Sequence, residues 1–201
     1  MKEKKTDRRT LYTRHVICEA FLKRKASKDY NDITVAELCR EAEISRGTFY
    51  LHYKNTGEVL DEVLDRILSE SSSLSDQLCP DLCAPGDKCR HPLCRYIRSH
   101  REYHCLFFDD ALSSYILSKI YISHKEDIIN VWAEKTGLPR EQLEMIAYFQ
   151  LSGCFAAVRK SAGMDDGQWE NTKAVIDRFI QGGLLALESP QKPSKASFPQ
   201  K

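Results

Sequence analysis

Along most of this chain the apolar residues recur at the 3–4 residue spacing of amphipathic helices. Val16, Ile17, Ala20, Phe21 and, further back, Leu11 predict a first helix over residues 9–25. Two short helices round a tight turn follow between Ile33 and Tyr53. Thr34 stands at the N-cap of the first with Glu37 at the reciprocal capping-box position, and Ile33 and Leu38 take the two staple positions. Ser45 caps the second. Val35, Leu38, Cys39, Ala42, Ile44 and Phe49 are left to glue the pair together. Asn55 followed by Glu58 opens another helix near Thr56, with a broad stripe of Val59, Leu60, Val63, Leu64, Ile67 and Leu68.

The periodicity breaks at the serines from Ser71 and stays broken through Pro80, Pro85, Gly86 and Pro92. That is a loop of roughly twenty residues, where about 4–6 is usual. Helical spacing resumes at Leu93 and predicts helices over 93–100, 104–121, 124–136, 140–162 and 168–187. Breaks at Gly137-Leu138-Pro139 and at Gly163 separate the last three. The tail 189–201, with three prolines and few large apolar groups, reads as disordered. No strand pattern or repeat is present, so the expected fold is all-α.

The paired short helices form a helix-turn-helix. Behind the Ser45 cap come Arg46, Gly47, Thr48, Tyr50 and His52, a row of donors with a glycine that permits close backbone approach. Free N–H groups and the positive dipole end at such a cap suit a phosphate. Arg46 is the expected base reader, with Gly47 and Thr48 beside it. Thr34, Ser45, Tyr50, His52 and Lys54 are the expected phosphate contacts.

The same residues resemble the DNA-binding head of the TetR family of bacterial transcription regulators, from about Arg9 to about Leu68. The resemblance rests on Thr34-Val35, Ala42, Ile44-Ser45, Gly47-Thr48, Tyr50, His52-Tyr53 and Leu60. Three positions depart from the pattern. Glu43 stands where a turn glycine is usual, so a side chain is expected at a backbone angle that disfavours one. Cys39 replaces a small alanine. Thr56 stands where a phosphate-binding lysine is frequent, and Lys54 is expected to take over.

The resemblance implies a head over 9–68 and a helical effector-binding and dimerisation bundle over 69–188. It further implies a cytoplasmic bacterial homodimer on a double-stranded operator, acting as a repressor that a small-molecule inducer releases. The last two long helices carry apolar stripes wider than one core needs. In 140–162 these are Leu143, Ile146, Ala147, Phe149, Leu151, Cys154, Phe155 and Val158; in 168–187 they are Val175, Ile176, Phe179, Ile180, Leu184 and Leu187. Either they pair as a core within one chain, or two copies join them in a four-helix bundle. The family resemblance and the two-fold symmetry of operators favour the second arrangement.

Charge sharpens this division. The net charge of +1 conceals 13 Lys/Arg against 8 Asp/Glu in residues 1–57, and 17 against 21 in the rest. The basic end coincides with the helix-turn-helix, as a phosphate-binding surface requires. No apolar run approaches the ~18 residues of a membrane span, and the N-terminus lacks the apolar segment of a secretory signal. The eight cysteines are then expected to be reduced unless they bind metal or sense oxidants.

One constellation falls outside the family pattern. Cys79, Cys83, Cys89 and Cys94, with His91 among them, lie within sixteen residues of the long loop. They offer enough ligands for a tetrahedral zinc site, or for a redox switch, or they are simply reduced thiols in a loop. A metal- or redox-responsive regulator is therefore an alternative to the small-molecule reading, and a partner-recruiting activator is another. Cys18, Cys39 and Cys154 lie on apolar faces and are expected to act as small hydrophobes. Most of the C-terminal aromatics are expected in the core, and Asp109 and Asp110 on a solvated face. No phosphate loop, Gly-x-Ser-x-Gly or paired-carboxylate arrangement argues for catalysis, and no cofactor is required.

Overall fold

The computed structural model describes residues 8–78 and 92–187, which form nine α-helices and three short 3₁₀ turns. Helix α1 (Arg8–Lys25) is followed by the short pair α2 (Val35–Glu41) and α3 (Arg46–Tyr50), then by the long α4 (Thr56–Leu78). After these come α5 (Pro92–Ser99), α6 (His104–Phe107), α7 (Ser113–Thr136), α8 (Arg140–Lys160) and α9 (Asp166–Leu187). The architecture is all-α, with a helix-turn-helix head and a helical bundle joined by α4. Among the described residues no helix is long and apolar enough to cross a membrane.

Helix α4 organises both parts. Its expected stripe, Val59, Leu60, Val63, Leu64, Ile67 and Leu68, is buried throughout. It packs on α1, α5 and α7. The helix opens as its sequence predicts: Asn55 Oδ1 accepts the Glu58 N–H at 3.0 Å, and the Glu58 carboxylate takes the Lys54 N–H at 2.7 Å. It does not stop at Ser71 as the pattern suggested. Serine carries no steric barrier to helix, and the Ser71 hydroxyl bonds the Leu68 carbonyl at 2.9 Å. The helix therefore continues some two turns past Ser71, to Leu78.

Three other expectations are corrected. Leu11 is 56% exposed, because burial on α1 begins only at Ile17 and the first turns project past the core. The predicted pair 104–121 and 124–136 is divided elsewhere. A single helix runs from Ser113 to Thr136, and the break lies at 108–112, where the Asp109 carboxylate accepts the Ala111 N–H at 2.7 Å and turns the backbone. Nothing between Ser113 and Thr136 is glycine or proline. Gly137, at φ 68°, ends the helix in the left-handed region where a side chain is disfavoured. Helix α9 starts two residues earlier than predicted because Asp165 and Gln168 cap it reciprocally, at 2.8 and 3.2 Å.

The bundle core holds Tyr96, Tyr103, Phe107, Trp132, Phe155 and Trp169, as expected of the aromatics. Tyr115, Tyr148, Phe149 and Phe179 stay exposed. Asp109 is not on a solvated face: its carboxylate meets the Lys25 ammonium at 2.7 Å, with both side chains nearly buried. That pair ties the end of α1 to the turn between α6 and α7. Tyr115 and Lys119 of α7 reach Asp61 on α4, and Tyr96 of α5 donates to Glu70.

Candidate nucleic-acid interface

The head is built from its caps outward. The Thr34 hydroxyl accepts the Glu37 N–H at 3.3 Å, while the Glu37 carboxylate accepts the Thr34 N–H at 3.0 Å. This closes the capping box that the sequence encodes. Lys28 adds an ion pair to Glu37 at 2.9 Å. Those bonds, the Lys28 one foremost, hold the Glu37 carboxyl down to about 2. Ile33 and Leu38 are both buried beside the box. Lys23 and Arg24 on α1 pair with Glu41 at the end of α2, which fixes the angle between these helices.

Between α2 and α3 the chain turns through Glu43 at φ 53°, the one non-glycine residue with positive φ among those described. The strain expected from the missing glycine is therefore present. Ser45 then caps α3, its hydroxyl accepting the Thr48 N–H at 3.0 Å and bonding the Thr48 hydroxyl at 2.9 Å. Phe49 is fully buried and Cys39 nearly so, so the α2–α3 contact is the expected apolar one.

The candidate residues divide by placement. Ser45, Arg46, Gly47, Thr48 and Tyr50 come together on α3 and its cap, and Thr34 lies at the start of α2. Arg46 is exposed, and among the described residues it makes no ion pair. Tyr50 is 58% exposed, its ring edge-on to Phe49. Lys54 projects from the turn after α3 and reaches Glu58 only loosely, at 3.5 Å. His52 is half-buried and lines a shallow groove with Arg14, Glu58, Asp61 and Glu62, so it faces carboxylates as well as solvent. The hydroxyls of Thr34, Ser45 and Thr48 are all engaged in caps, leaving lone pairs and neighbouring N–H groups for an outside partner.

Behind α3 lies a network that spacing alone did not reveal. The Tyr53 hydroxyl donates to Glu62 at 2.6 Å, and Arg14 grips the same carboxylate with Nε at 2.9 Å while lying over the Tyr53 ring. Because the phenol proton goes to Glu62, the Cys18 thiol at 3.7 Å is left to donate to the Tyr53 oxygen. Burial raises the Tyr53 and Cys18 pKa values, and the Glu62 hydrogen bond adds to the rise at Tyr53. Burial also opposes the charge on Glu62, but Arg14 and Tyr53 outweigh it and the carboxyl ends below its ordinary value. The network pins the turn after α3 to both α1 and α4. Leu51, exposed at the end of α3, was also overlooked. The buried Phe49 two residues earlier was the signal that it points outward.

Comparison with known proteins agrees with this geometry. Residues 25–63 match the family of bacterial regulatory proteins, tetR family. Residues 25–63 thus carry a DNA-binding head of the TetR type. A 60-residue segment is 47% identical to the uncharacterized HTH-type transcriptional regulator YxbF of Bacillus subtilis (strain 168). That segment spans 29% of this chain but only 16% of YxbF. The TetR fold extends over nearly the whole chain. The dihydroxyacetone kinase operon activator DhaS superposes with a TM-score of 0.60 at 18% identity, covering 89% of this chain and 99% of its own. A TetR transcriptional regulator from Streptococcus agalactiae 2603V gives 0.60 at 19% identity, covering 91% and 97%. The TetR-family repressor AlkX from Dietzia sp. strain DQ12-45-1b gives 0.51 at 13%, covering 87% and 98%. The head is thus of the TetR type over residues 25–63, and the all-α fold of such regulators extends over most of the chain.

The opposite end of the TetR-like fold carries an apolar face. Phe149 and Met145 on α8 are each 71% exposed, and Phe179 and Val175 on α9 are 73% and 56% exposed. An apolar groove of about 650 Å³ runs between these helices, lined by Ile146, Cys154, Ile176 and Leu184 among others. Of the cysteine cluster, Cys79, Cys83, Cys89 and His91 lie outside the described residues, while Cys94 sits half-buried on α5. Among the described residues no group of three or more His, Cys, Asp or Glu is arranged to hold a metal ion.

Proposed function

We propose that this protein is a homodimeric repressor that binds a palindromic operator through α3 and is released by a small molecule taken up in the helical core. The observation that carries the DNA-binding part is the exposed donor face of α3, with Arg46 in no ion pair among the described residues, set on a capped head. Phosphate contacts are assigned to Thr34, Ser45, Tyr50, His52 and Lys54; Arg46 reads bases, Gly47 admits the backbone edge and Thr48 flanks it. The uncovered face of α8 and α9 supports dimerisation, since two copies would bury it as a four-helix bundle. Helix α4 packs against both head and core, so a ligand that shifts the core would change the spacing of the two α3 helices. A dimer must match half-sites about 34–36 Å apart, so a small shift is costly. DhaS, named as an operon activator, keeps the opposite sign open to the same experiment.

Selection of bound duplexes from a random pool should return a palindrome. Arg46→Ala should then cost about 1–3 kcal/mol and relax preference at one base pair per half-site. Lys54→Ala should instead weaken all sequences alike and flatten the salt dependence. A pool with no enriched sequence overturns the proposal, and activation from the selected site in a reporter reverses its sign.

A further inference from the structure

We infer that Leu51 is a specificity residue that reads the C5-methyl group of a thymine in the major groove. The inference rests on the DNA-binding reading above and names one determinant of its sequence preference.

Leu51 is the C-cap of α3 and keeps helical backbone angles, φ −72° and ψ −19°, so its direction follows from helix geometry. At about 100° per residue, Gly47 and Leu51 both fall about 160° round the helix from residue 49. Phe49 is completely buried against the head. Gly47 and Leu51 therefore form the face turned squarely away from the protein, with Arg46 and Tyr50 on one flank and Thr48 on the other. Leu51 is 83% exposed, more than any other large apolar side chain described.

A single exposed leucine is ordinary on a protein surface. Its position here is not, because the glycine one turn earlier leaves the backbone bare. A Cβ at Gly47 would meet only the Ser45 hydroxyl, at an ordinary 3.6 Å. The glycine relieves no crowding within the chain, while it weakens the helix relative to alanine. The space it leaves serves something outside, and Leu51 is the apolar group at the end of that space. In a major groove the one apolar feature on the base edges is the thymine methyl, and apolar side chains are its natural partners.

The test uses the selected operator, with each thymine replaced in turn by deoxyuridine, which removes the methyl and leaves every hydrogen-bonding group in place. At one thymine per half-site the exchange should weaken the intact protein about fourfold, as expected for one buried methyl. Leu51→Ala should bind the thymine operator more weakly and be indifferent to deoxyuridine at that same position. Leu51→Met, which keeps an apolar reach, should retain most of the sensitivity. Circular dichroism checks that the variants fold, which an 83% exposed position permits. Indifference of the intact protein to every exchange, or equal losses in Leu51→Ala, overturns the inference while leaving the regulator reading intact. Failure to bind any selected DNA overturns both.

Discussion

Glu43 is a residue whose side chain and backbone disagree. At φ 53° it occupies the left-handed region, which glycine enters without the steric cost that a Cβ brings. Glu43→Gly removes that strain but also loosens the unfolded chain, so the net gain should be about 0.5–1 kcal/mol. Urea unfolding reads it as a higher midpoint at unchanged slope, and Glu43→Val should move the midpoint the other way. Glu37 makes a second residue-scale prediction. Its folded pKa of about 2 lies below the ordinary 4.5, so the unfolded state takes up protons first as the pH falls. The capping box therefore contributes fully above about pH 4.5, and its contribution fades as the pH drops from there toward 2. Thermal melts from pH 6 to pH 3 should show a decline that is smaller in Glu37→Gln than in the intact protein. Equal declines would mean that other carboxylates account for the acid sensitivity.

At the scale of elements, α1 is held to the bundle by the Lys25–Asp109 pair, with side chains 6% and 12% exposed. Its two partners are far apart in sequence, and neither sits in a motif that announces the other. Removing one member of a nearly buried ion pair strands the other charge, so Lys25→Ala should destabilise the protein by about 3 kcal/mol. The double replacement Lys25→Leu with Asp109→Leu should recover much of that loss, because two apolar side chains need no hydration to be replaced. Denaturant melts of the three variants decide this; equal losses in single and double variants would show that the pair's packing, not its charge, carries the contact. The helix starts, by contrast, were legible. Thr34, Ser45 and Asn55 each cap where their sequence places them, because a cap is an interaction within four residues.

For the whole molecule, the open question is what covers α8 and α9. Phe179 is 73% exposed in the single chain, so Phe179→Glu should leave the fold and its melting behaviour nearly unchanged. In the proposed dimer the same change buries a charge among apolar neighbours. Sedimentation should then show a folded monomer that has lost tight operator binding. An intact dimer with unchanged affinity would place the interface elsewhere on the surface.

What the sequence determined by itself was local and periodic. Caps, the helix-turn-helix core, the α4 stripe, the strained turn at Glu43 and the breaks at Gly137 and Gly163 all arise from residues a few positions apart. Short-range sterics and hydrogen bonds decide such features. The tertiary structure alone decided the rest. It carried α4 through the serines to Leu78 and merged the segments on either side of residue 123 into one α7, since serine and histidine permit helix without commanding its end. It brought Arg14, Cys18, Tyr53 and Glu62 into one network, and Lys25 to Asp109. These contacts join residues up to 84 positions apart, a separation at which spacing carries no signal and only packing selects the partner.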